Sequence, residues 1–310
     1  MRRERLGLLF ILCSITGYSF LPIFAAGLRD AGLPPIETTF WRYLFALPFF
    51  LLIAFSKPFS PFSKPLPRIG LFLVGFGLAG EGLAAFIGLQ YIPAGIYLVL
   101  FYTYPAMTAL FSSFLGERLN AVGWFALALT LIGVMLTVAD FELGSNPDLW
   151  LGVVCALVNA FLAAIYFIAM GRLLKGHTAT VRAGAYTVSG SLVFLAALAV
   201  GGGVINGTGI AVPQGVNAWA NLAALVLIST VMPIIMLNKG IQAAGPTRAA
   251  IFGTIEPLLT AVLAQLILSE MMQPIQWVGG LLVIASVILL QLRGGTTAES
   301  AQPAPAPIVS

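Results

Sequence analysis

Charge is what this sequence has least of. Only 8% of its 310 residues are Asp, Glu, Lys or Arg, against about 25% in ordinary soluble domains. A chain so poor in charge cannot clothe itself in water-facing groups, so most of its surface must face lipid. Histidine occurs once, at His177, and cysteine twice, at Cys13 and Cys155, both cysteines in apolar runs. These counts argue against a disulfide framework and a metal site. The sequence contains no HExxH, GxSxG or P-loop, so ATP-driven transport and metal or serine hydrolysis within this chain lack support. The expectation is a protein that is no enzyme and holds no cofactor. A formal charge of +4 gives no reason to expect a nucleic-acid partner.

What is present is long apolar runs. Hydrophobic residues make up 59% of the chain. A helix needs about 20 apolar residues to cross about 30 Å of hydrocarbon. Ten stretches qualify: 6–28, 36–55, 69–92, 94–115, 121–139, 149–170, 183–204, 216–238, 246–269 and 275–292. They are too long and too uniformly apolar for barrel strands, which alternate. The first follows Arg2, Arg3 and Arg5, as a signal peptide would, with Ala25-Ala26 as a cleavage site. Its length favours a retained helix instead.

Charge placement orients the spans. With a cytoplasmic N-terminus, thirteen cations fall inside and only Arg29 and Arg42 outside, a strong positive-inside bias. Asp30, Glu37, Asp140, Glu142, Asp148 and Glu270 fall outside or at that edge. A bacterial cytoplasmic membrane protein with both termini inside is expected.

The chain also reads as one unit written twice. Pro105, Thr108 and Ala109 align with Pro257, Thr260 and Ala261. Gly88-Leu89-Gln90 aligns with Gly240-Ile241-Gln242, Glu117 with Glu270 after one extra residue, and Trp124 with Trp277. Ten helices in two copies give five each. Five is odd, so the second copy enters from the opposite side. The expected fold is therefore an all-α integral membrane protein of two inverted five-helix repeats, with a binding site near the midplane. The repeats are assigned to 1–140 and 149–293, an extracytoplasmic linker to 141–148 and a disordered tail to 294–310.

Two carboxylates lie mid-span, Glu81 in the third stretch and Glu256 in the ninth, and neither has an obvious basic partner at its depth. Each can bind a proton, a substrate ammonium, or both in turn. The bland alternative is a protonated carboxyl bonded to a broken helix. Tyr97, Phe101 and Tyr104 are spaced to share a helix face, with Tyr102 on another. They suggest a cavity wall, though packing alone would also account for them. Tyr18, Tyr166 and Asn159 add polar groups inside apolar runs. Pro105 and Pro257 are the expected kink points. Pro257 frees the carbonyl of Gly253, which joins them as a hinge candidate.

The pieces Tyr104-Pro105 to Leu115-Gly116-Glu117-Arg118-Leu119 and Ile255-Glu256-Pro257 to Leu268-Ser269-Glu270 resemble the EamA family of the drug/metabolite transporter superfamily, and the likeness covers nearly the whole chain. The first copy departs at Tyr104, where a Glu could stand, so the halves are chemically unequal. The resemblance implies a basket-like carrier with a cavity lined chiefly by the third, fourth, eighth and ninth helices. It implies export of amino acids, apolar or aromatic ones included, or similar small metabolites. Multidrug or nucleoside carriers, or a channel, are the alternatives; an intramembrane enzyme is the weakest reading. Expected partners are that small molecule, membrane lipid and protons, and a monomer would suffice.

Overall fold

The computed structural model describes residues 2–56, 65–115, 120–138, 147–174, 180–206, 209–244, 249 and 252–298. Among these there is no strand. Glu117, Arg118, His177, Arg248, most of the expected linker and residues 299–310 of the expected tail lie outside the described residues.

Helices α1 (Arg2–Ser19) and α2 (Leu21–Asp30) form the first span, α3 (Pro35–Ser56) the second and α4 (Arg68–Gly88) the third. The fourth combines α5 (Ala94–Phe101) and α6 (Tyr104–Phe114), and α7 (Ala121–Thr137) is the fifth. Then come α8 (Pro147–Leu173) and α9 (Thr180–Asn206). The eighth span joins α10 (Gly215–Val226) to α11 (Met232–Ala244) through a π-helical turn, Leu227–Val231. The ninth contains α12 (Ile255–Leu268), and α13 (Pro274–Ala298) is the tenth, running five residues past Arg293. Eight of the spans are long and apolar enough to cross a membrane, and α7 and α12 are shorter apolar helices.

Prolines explain the interruptions. A proline lacks an N–H, so the carbonyl four residues earlier loses its helical donor. The first span breaks at Phe20, two residues before Pro22. The fourth breaks at Tyr102-Thr103, just before Pro105, and the ninth at Thr254, just before Pro257. The breaks in the fourth and ninth spans fall at matching positions of the two copies.

The two halves interleave. The first span packs on α11 of the eighth, and α8, its counterpart in the second half, packs on α4, the counterpart of the eighth. Helix α9 packs on α3 and α4; α5 meets α12; α7 meets α13. Each of these last two contacts pairs a span with its own equivalent, as a pseudo-twofold axis in the membrane requires. The largest core cluster joins the halves, running from Leu28, Ala46, Phe50 and Ala79 to Leu195, Leu222 and Leu225. Large apolar side chains such as Leu9, Trp124, Phe125 and Leu266 stay exposed, which suits contact with lipid tails.

Small residues set the closest crossings. A Cβ on Gly190 would overlap the carbonyl oxygen of Phe72, and one on Gly75 that of Thr187. Ser191 Oγ donates to the Gly75 carbonyl at 2.7 Å in the same crossing. Backbone cannot step aside as a flexible side chain can. Gly190→Val should therefore cost about 3 kcal/mol or more in stability, seen as a lowered Tm and aggregation on size-exclusion chromatography in detergent. A normal Tm would show that the α4–α9 crossing is looser than described.

Candidate functional site

The site forms where the broken fourth and ninth spans meet. Tyr102 ends α5 at the break, and its hydroxyl lies 2.8 Å from the Gly253 carbonyl oxygen. That is the carbonyl Pro257 leaves without a helical donor. The same hydroxyl lies 3.0 Å from Glu256 Oε2. A residue from one half thus satisfies the broken backbone of the other, beside a carboxyl group. Among the described residues, nothing lies within 4 Å of a Cβ built on Gly253.

Tyr18 of α1 and Tyr104 of α6 lie within electrostatic reach of Glu256, to which Tyr102 is bonded. Its backbone carbonyl accepts from Ser19 Oγ at 3.4 Å. Glu81, on α4, interacts with the same Tyr104 and with Tyr166 of α8. The two carboxyl groups, one from each half, therefore address a common tyrosine. Glu81, Glu256, Tyr18, Tyr104 and Tyr166 all remain partly accessible although several spans surround them. Among the described residues, Glu81 Oε1 is buried with no hydrogen-bond partner.

The other expected residues divide. Phe101 joins the wall through ring contacts with Tyr102 at 6.0 Å and Tyr104 at 5.2 Å, and Tyr104 stacks on Phe167 at 5.1 Å. Tyr97 is in the core at 3% exposure, packed against Gly88, and its hydroxyl accepts from Asn159 Nδ2 at 2.8 Å. This bond crosses the α5–α8 contact, while Asn159 Oδ1 is buried with no hydrogen-bond partner among the described residues. Of the expected Tyr97–Phe101–Tyr104 wall, the structure brings Phe101 and Tyr104 together with Tyr102 and places Tyr97 apart. The break at Tyr102-Thr103 interrupts the helical spacing on which that wall rested. Pro105 and Pro257 sit in the first turns of α6 and α12, just after their breaks.

Two functional candidates escape a sequence reading. One is Tyr102. The other is Arg42, which the charge count places outside. It lies well within α3, half-buried, and interacts with Glu81, Tyr18 and Tyr43. Glu81 therefore does have a cation near it. The π-turn of the eighth span gives no sequence signal at all, although such turns gather at functional sites.

At the end of the basket carrying the turn 31–34, another contact joins the halves. Ser269, with a left-handed backbone (φ 57°), ends α12 and turns Glu270 aside. Glu270 Oε2 accepts from the Ala94 backbone N–H at 2.6 Å, capping α5, which has no side-chain cap of its own. Arg29 is nearby, donating through Nη1 to the Leu89 carbonyl at 3.2 Å and forming an ion pair with Asp30.

An interleaved pair of five-span halves, with broken helices and carboxyl groups at the middle, defines a membrane transporter built on inverted repeats. The model of the EamA-like transporter family matches residues 5–139 and again 150–292, and the chain belongs to that family. It is 32% identical over 209 residues to the uncharacterized transporter sll1319 of Synechocystis sp., a match covering 66% of this chain and 61% of that protein. It is 24% identical to the uncharacterized transporter YcbK of Bacillus subtilis, over 90% of each chain. It is 30% identical to the threonine/homoserine exporter RhtA of Escherichia coli, over 78% of each. A crystal structure shares the fold, with a TM-score of 0.61, 19% identity and coverage of 94% of this chain and 98% of the other.

Proposed function

We propose that the protein exports amino acids, apolar or aromatic ones among them, or closely similar metabolites, by alternating access. One observation carries this reading: Glu81 and Glu256, from different halves, address one partly accessible interior around Tyr104. A carboxylate there offers a site for a substrate ammonium, and Phe101, Tyr104 and Tyr18 offer an apolar surface for a side chain. The name of the Escherichia coli relative, a threonine/homoserine exporter, supports the amino-acid class. With Arg42 assigned to the interior, the charge bias becomes thirteen cations to one, and the Glu270 end faces outward with both termini in the cytoplasm.

The test is counterflow in proteoliposomes, with labelled phenylalanine, leucine and threonine. Saturable uptake driven by unlabelled amino acid inside the vesicles is expected, because a carrier exchanges and a channel does not. Glu81→Gln should lower that exchange by roughly tenfold or more, since a charge-assisted hydrogen bond is worth about 1.5–3 kcal/mol. Flux no greater than that of empty vesicles for every amino acid would end this reading.

A further inference from the structure

Resting on the transport reading, we infer that Arg42 is the anion-binding group of the transport site, so that the substrate is recognised as a zwitterion with its carboxylate on Arg42 and its ammonium on the Glu81 side. Arg42 is the eighth residue of α3, about 10 Å along the helix from its first residue at about 1.5 Å per residue. A cation at such depth normally faces the bundle interior and marks a substrate path or a partner charge.

The guanidinium is held from behind. Its Nε donates to Thr230 Oγ1 at 2.9 Å. Thr230 spends its own proton on the Leu225 carbonyl at 2.8 Å, so the oxygen it turns to Arg42 is an acceptor. Thr230 belongs to the π-turn Leu227–Val231, which sets that hydroxyl in place. The Arg42 Cζ lies 5.5 Å from the Tyr43 ring centroid and 5.8 Å from that of Phe86. One edge and the faces of the fork are thereby fixed. Among the described residues Arg42 has no ion pair, and no acceptor takes the hydrogens of its two Nη atoms.

Glu81 is in the complementary position. It interacts with Arg42, yet its buried Oε1 has no donor. A cation without an anion and a carboxyl oxygen without a donor address each other without touching. An ion pair built only for packing would close that gap. A substrate with an ammonium and a carboxylate on one carbon satisfies both at once. The fork of Arg also suits a planar carboxylate better than a point charge does. Phe86, beneath the guanidinium, also lines a small cleft with Arg29, Thr38, Leu89 and Gln90.

The experiment is a thermal-shift titration of the purified full chain in detergent, paired with the counterflow assay. The probes are L-phenylalanine and L-leucine, each against its amide, which keeps the ammonium and side chain but loses the carboxylate charge. Wild type should respond to the acids at concentrations at least about tenfold lower than to the amides. Arg42→Gln should erase that preference, and Arg42→Lys should weaken it. Glu81→Gln should keep the preference for acid over amide while weakening both. Wild-type measurements alone decide the matter if Arg42→Gln does not fold. Equal or better response to the amides, with amino acids still exchanged, overturns the Arg42 assignment and leaves the carrier reading standing. No response and no exchange with either acids or amides overturns both.

Discussion

Tyr102→Phe should leave the protein folded, slow amino-acid exchange by roughly tenfold to a hundredfold, and flatten its pH dependence, the loss of one hydrogen bond to a charged group being worth about that much. The reason is a count of protons. The Tyr102 hydroxyl has one, and two acceptors stand within reach, the Gly253 carbonyl at 2.8 Å and Glu256 Oε2 at 3.0 Å. With Glu256 ionised the two compete, and one goes short. With Glu256 protonated the carboxyl donates to the tyrosine oxygen, and the tyrosine donates to Gly253. The chain of bonds is then complete, and the broken backbone of the ninth span is satisfied. Protonation of Glu256 would thereby reach the helix break before Pro257. Tyr18, Tyr102 and Tyr104 lie within electrostatic reach of Glu256, and Tyr104 also of Glu81. Glu256→Gln imitates the protonated form, because its amide can donate to Tyr102. It should keep a normal Tm and exchange with a flattened pH dependence. A purely structural tyrosine would predict the reverse, a lower Tm with an unchanged pH profile in Tyr102→Phe. That outcome would remove Tyr102 from the transport cycle.

The spans and their doubling were legible because lipid imposes them. Apolar length counts helices, and an odd number per copy inverts the second. The helix breaks were legible for a similar reason, since a missing N–H at Pro105 and Pro257 acts on local backbone. Side-chain direction past a break was not. Counting 100° per residue through the fourth span put Tyr102 on the wrong face, because Tyr102-Thr103 is a turn. Arg42 was misplaced for another reason: the positive-inside count sorts cations by side and carries no information on depth. Its anchor, Thr230, is 188 residues away and depends on a π-turn that no periodicity announces. Asn159 was read as a polar group inside an apolar run and Tyr97 as part of a cavity wall, and nothing in the sequence said that the one would donate to the other.

Glu270→Ala should open the Glu270 end of the basket, raising the fraction of molecules in that state by roughly tenfold, the scale of leaving a partly buried backbone donor without its acceptor. Glu270, from the second half, caps α5 of the first through the Ala94 N–H, 176 residues away. Beneath the cap the two spans touch closely, since a Cβ on Gly95 would come within 2.6 Å of Met272 Sδ and 2.9 Å of Ala261 Cβ. Substrate leaving at this end must part these helices and uncover the donor. Spin labels on cysteines introduced at Gln90 and Gln273, in a background without Cys13 and Cys155, would read the separation directly. Glu270→Ala should lengthen it, while Glu270→Gln, which keeps an amide oxygen as acceptor, should not. The carboxyl also gives the closure a pH dependence. Burial pushes Glu270 above the usual carboxylate range, against the opposing pull of the Ala94 N–H and then of Arg29. The closed end therefore favours the protonated form relative to an open, solvated one. Closure should strengthen as pH falls through the raised value and weaken as pH rises through it. Glu270→Gln should lose this response. Label distances in Glu270→Ala identical to wild type at every pH would mean that apolar packing around Gly95 alone holds the end shut.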